Sequence, residues 1–121
     1  MARSILLLLW LFISANATAQ QSKALHKQLD VFWNSKNIRV KNLADAIHFQ
    51  PGDTVADIGT ANGWFAAALS MYADSVTFYL EDIDSSSWNR ATFDSAFHHF
   101  SIASHKRPAH RFHYVTGSET S

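Results

Sequence analysis

The sequence predicts an α/β fold: a Rossmann-like parallel sheet with helices on both faces, truncated after about three strands. Three observations carry this expectation. The apolar run Val55, Ala56, Ile58 stops at Gly59 and gives way to an alanine-rich helical pattern from Trp64. The β-branched and aromatic run Ser75 to Leu80 leads directly into the acidic stretch Glu81-Asp82-Ile83-Asp84. A third strand pattern, His110 to Val115, follows another helical stretch. Strands alternating with helices of these lengths imply parallel pairing through right-handed crossovers.

A chain of 121 residues suits one small domain, and 47% hydrophobic with 17% charged residues is the composition of a folded protein. The formal net charge is zero, which argues against a long nucleic-acid track. The first 19 residues read as a secretory signal peptide: Arg3 is the positive head, Ile5 to Ile13 is the apolar run, and Ala17-Thr18-Ala19 is a small-x-small cleavage site. The apolar run is shorter than the roughly 20 residues a spanning helix needs, and an uncleaved anchor is the alternative. An exported, periplasmic or secreted address follows. The chain has no cysteine, so neither a disulfide nor attachment through a lipidated cysteine is available to it. The expected organisation is leader 1–19, helical lead-in 20–50 and cofactor-binding domain 51–121.

In the lead-in, Leu25, Leu29 and Phe32 or Trp33 recur at helical spacing and predict an amphipathic helix over Gln21 to Asn34. Val40, Leu43, Ala46 and Ile47 predict a second, short helix ending near His48 or Phe49. Gln50-Pro51-Gly52-Asp53 is a turn, with proline fixing one φ and glycine free to take the positive one.

The bend after the first strand has the composition of a ligand cradle. Glycine admits positive φ and lets a ligand come close to the main chain. The helix that follows opens with unpaired N–H groups and a partial positive charge. A dinucleotide fingerprint, G-x-G-x-x-G from Gly59, would put Ala61 and bulky Trp64 where small residues are needed, and so fits poorly. An acid followed by three small residues at alternate positions fits better: Asp57, Gly59, Ala61, Gly63. A carboxylate about 20 residues on, at the end of the next strand, is where a nucleotide ribose would be held, and Asp82 stands there.

With the Pro-Gly-Asp entry turn, these motifs resemble the N-terminal half of the class I S-adenosylmethionine-dependent methyltransferases. The resemblance runs from about Leu43 to the end of the chain. It implies that Asp57 organises the methionine end of S-adenosylmethionine, that Gly59, Ala61 and Gly63 give backbone approach, that Asp82 takes the ribose and that Ile83 lies against adenine. It also implies that the three strands are the first of seven, so that the chain is the cofactor-binding half without the acceptor-side half, a truncated gene product or a partial sequence. Catalytic residues and the methyl acceptor are not assigned. Where the family carries an acid after its third strand, this chain has Gly117-Ser118. The alternatives are a non-catalytic α/β binding module and a chain without activity.

Other features carry structural expectations. Phe65, Leu69 and Tyr72 are read as the core face of the helix from Trp64 to about Ala73; Trp64 is read as packing or cofactor contact. Asp57 and Asp82 have turn-capping alternatives to their cofactor roles. Asp84 or Ser85 to Ser87 would cap a helix from Trp88 to about Phe100, and Ser101 to Pro108 is read as a basic loop. The seven histidines lack metal-ligand spacing and are expected to be solvated or capping, so no metal is expected. The edge of the first strand, without a neighbour on its far side, is expected to self-associate.

Overall fold

The computed structural model describes the backbone of residues 2–116 and the side chains of residues 20–116. The order is α1 (Ala2–Ile47), β1 (Thr54–Ile58), α2 (Trp64–Ser70), β2 (Thr77–Asp82), α3 (Arg90–Ser104) and β3 (Arg111–Thr116). The strands form one sheet of order β1-β2-β3, and both pairings are parallel. Asp57 pairs with Leu80 and Ile58 with Glu81, so the glycine bend and the acidic stretch emerge side by side at the carboxyl end of the sheet.

The α/β class, parallel pairing and three-strand extent are as the sequence predicts. The helices, however, are gathered on one face among the described residues. Val55, Phe78, Leu80, Phe112 and Tyr114 face α2 and α3 and belong to or pack against the core. Ile58, Tyr79 and Val115, on the alternate positions, are exposed. The cause is topological: two successive crossovers that step the same way across a sheet, with the same hand, must lay both helices on the same side.

Two lead-in helices were expected between Gln21 and His48; there is one continuous helix, α1. No proline or glycine occurs before Pro51 to interrupt it. The buried stripe is Leu29, Trp33, Val40 and Ala44, whereas Leu43 and Ile47 of the expected second face are exposed. Ser35 sits in the polar stretch between the two parts of the stripe and bonds back to the Val31 carbonyl at 2.8 Å, which satisfies its hydroxyl inside the helix. This helix lies over α2 and α3: Phe32 meets the edge of Trp64, and Trp33 stacks near Tyr72 and Phe100.

α2 stops at Ser70, and its buried residues are Ala66, Ala67, Ala68, Leu69 and Ser70, while Phe65 faces solvent. The small side chains let this helix pass between the sheet and α1. α3 starts later and ends later than expected. Its cap is Asn89, whose side chain accepts from the Thr92 amide at 3.0 Å, not Asp84 or the serines. His110 lies just before β3, where Nδ1 accepts from the Val76 amide at 3.1 Å and Nε2 donates to the Ser70 carbonyl at 2.7 Å. That histidine is a structural tie between α2 and the start of β2.

Candidate functional site

At the carboxyl end of the sheet the chain leaves β1 and turns through Gly59, Ala61 and Gly63, all with positive φ: 75°, 53° and 79°. The Gly59 and Thr60 amides both donate to the Glu81 carbonyl, at 2.7 and 3.0 Å, which locks the bend onto β2. The Ala61 amide donates to Asp82 Oδ2 at 2.9 Å. Asp82 Oδ1 accepts from the Asp84 amide at 3.0 Å, so one carboxylate spans the bend and the acidic turn. The juxtaposition expected from the sequence is therefore present: residue 82 lies against the bend, on the helix side of the sheet.

The amides are not bare, however. Gly63 N donates to the Thr60 carbonyl at 2.9 Å, and Trp64 N donates to Asn62 Oδ1 at 3.0 Å. Thus the amides of Gly59, Ala61 and Gly63 are engaged within the protein, against the expectation of a ready row of donors. A turn this tight closes its own hydrogen bonds when no ligand competes for them.

The glycines also divide by role. A Cβ on Gly59 would meet nothing within 4 Å, so this position leaves the backbone open to approach. A Cβ on Gly63 would lie 2.8 Å from Phe93 Cδ2 and 3.0 Å from Trp88 Cζ3. The space over Gly63 is filled by aromatic rings, so its glycine serves close packing with α3 and does not provide ligand access. Trp64 packs on Phe32 and belongs to the core margin.

Asp57 points to the helix side of the sheet, where its Oδ2 accepts from Thr60 Oγ1 at 2.9 Å. Burial pushes its carboxyl above the ordinary 3.8; the Thr60 bond opposes this and the charge of Asp82 adds to it. Asp82 moves the other way, held below 3.8 chiefly by the Asp84 amide and then by the Ala61 amide. The carboxyl beneath the bend therefore holds its proton to higher pH than the one at its rim. Ile83, beside that rim, is 78% exposed. An exposed branched side chain next to an anionic carboxylate suits a ligand with a flat apolar part and hydroxyl donors.

Three contributors were not among the predicted residues: Thr60, Asn62 and the Glu81 carbonyl. Asn62 carries a legible signal, an asparagine two residues before a helix. The Glu81 carbonyl carries none, because it depends on strand register. Gly117 and Ser118 lie outside the described residues. Open concavities lie away from the bend, one of about 890 Å³ beside the end of α3, lined by Phe97, Ile102, His105 and Arg107 among others. Its walls hold no convergent acid–base pair, and the chemistry-bearing residues are at the glycine bend. Among the described residues, no group of three or more His, Cys, Asp or Glu is arranged to hold a metal, and no helix is long and apolar enough to cross a membrane. Compared with known proteins, the chain matches no protein-family model and no curated protein sequence.

Proposed function

We propose that this chain is the S-adenosylmethionine-binding half of a class I methyltransferase, exported by its N-terminal leader. The observation that supports it most is the contact of Asp82 with the Ala61 amide, 2.9 Å across the carboxyl ends of two adjacent parallel strands. In open parallel sheets, ligands bind in the crevice outside those ends. The ribose hydroxyls of the cofactor would take the Asp82 oxygens now held by the Ala61 and Asp84 amides, and the freed Ala61 amide would face the ligand. Ile83 would lie on adenine, Gly59 would let the methionine part approach, and Asp57, through Thr60, would fix the bend. Gly63 supports the site from below by admitting Phe93 and Trp88. The cofactor supplies an electrophilic methyl group; these residues bind and orient it.

Calorimetric titration of the full chain with S-adenosylhomocysteine tests the assignment. Saturable binding is expected, weakened about tenfold or more by Asp82→Ala through loss of charge-assisted hydrogen bonds. No heat, or equal binding by Asp82→Ala, overturns it. One observation favours a second reading, a non-catalytic α/β binding module. The sheet face carrying Ile58, Tyr79 and Val115 is uncovered among the described residues and offers a partner surface.

A further inference from the structure

Well away from the glycine bend, α1 and α3 bring together three side chains that neither the fold nor the proposed cofactor site uses. His26 and Asp30 lie one turn apart on α1, and His99 comes across from α3. The Nδ1 atoms of His26 and His99 are 3.3 Å apart. On its other side, His99 Nε2 meets Asp30 Oδ1 at 2.7 Å. The His99 side chain is 15% exposed and that of Asp30 64%, so the cluster sits at the rim of the helix interface with water at hand.

We propose that His26 and His99 form a two-histidine site for a divalent late transition metal, with zinc the best fit, clamping α1 to α3. The carboxylate of Asp30 fixes the hydrogen of His99 on Nε2, which leaves Nδ1 as a bare lone pair; a carboxylate behind a metal-binding imidazole is the usual supporting arrangement. The spacing points the same way. Zinc–nitrogen bonds of about 2.0–2.1 Å at a tetrahedral angle put two ligand nitrogens about 3.3–3.4 Å apart. Both nitrogens come from residues far apart in sequence, so the ion would join two helices. Water completes the coordination shell, and binding is therefore reversible by chelators.

Zinc chloride titrated into the metal-stripped full chain, followed by calorimetry, reads the site directly. One ion per chain is expected, with affinity reduced at least tenfold by His26→Ala or by His99→Ala. Asp30→Asn should weaken binding about 10- to 100-fold while leaving both ligands in place. His98→Ala and His113→Ala, at histidines outside the cluster, should leave it unchanged. Zinc should also raise the melting temperature of the parent chain, and not that of His99→Ala. No saturable binding, or stoichiometric binding retained in both His26→Ala and His99→Ala, overturns the proposal. Should either alanine variant lose its helical circular dichroism, His26→Gln and His99→Gln replace them, with the same loss required.

Discussion

Gly59, Ala61 and Gly63 share a left-handed backbone, yet the three positions respond differently to substitution because their surroundings differ. Gly59→Ala adds a Cβ into open space and meets only the φ penalty, so a loss of about 1 kcal/mol is expected in urea unfolding. Gly63→Ala meets the same penalty and also drives a methyl group into Phe93 and Trp88; overpacking raises the expected loss to about 2–4 kcal/mol. Ala61 already sits at φ 53°, so Ala61→Gly relieves strain and should stabilise the chain by up to about 1 kcal/mol. A glycine bend with alanine in its middle position thus carries a measurable cost. The carboxylates beside the bend oppose one another in pH. Asp57 has a folded pKa above 3.8, so its penalty is absent in acid, grows as pH rises from 3.8 through the folded value, and is complete above it. Asp57→Asn, which can still accept from Thr60, should therefore be more stable than the parent at neutral pH, with the gap closing below pH 3.8. Asp82, whose pKa is depressed, contributes stability above 3.8 that is lost as pH falls through its folded value. Spacing alone made the positions of Asp57, Gly59, Ala61 and Asp82 legible. The packing role of Gly63 was not, since Phe93 and Trp88 reach it only through the path of α3.

Element by element, legibility followed the strength of local punctuation. The Pro51-Gly52-Asp53 turn was readable because each residue has one dominant conformational reason to be there, and the Gln50 amide indeed donates to Asp53 Oδ2 at 2.7 Å. The three strands were readable from their β-branched and aromatic composition. One helix stands where the sequence suggests two because the stretch from Asn34 to Arg39, polar apart from exposed Ile38, interrupts the apolar stripe, while helix continuity needs only the absence of breakers and a stripe that resumes in phase, as it does at Val40 and Ala44. The start of α3 was misplaced because Asp84 and the serines are also good caps. They are used instead in a local turn, in which Asp84 Oδ1 accepts from the Ser86 amide at 2.9 Å. If Asn89 is the working cap, Asn89→Ala costs about 1 kcal/mol of stability and Ser87→Ala leaves it nearly unchanged. Thermal melts of the two variants beside the parent chain decide between the two caps.

At the scale of the molecule, placing all three helices on one side leaves the sheet with an open face and β1 with an open edge among the described residues. The exposed face presents Ile58, Tyr79 and Val115 around Glu81, and the edge strand Thr54–Ile58 contains neither proline nor lysine to discourage pairing. Asp57 does not serve as a guard, because its carboxyl is turned toward the helices and held by Thr60. A strand of this kind tends to add another strand, and apolar side chains beside it add burial when it does. The chain is therefore expected to associate as concentration rises, sedimenting as dimers or larger species at tens of micromolar, on the order of usual laboratory concentrations for edge-driven association. Ala56→Lys, on the open face in the middle of β1, places a charge where a second copy would lie and should shift the population toward monomer. Because Ala56 is exposed and distant from the Asp82 contact, the same substitution should leave binding of S-adenosylhomocysteine unchanged. A parent chain that sediments as one monomeric species at every concentration and melts in a single cooperative transition would show that the open edge is closed in some other way.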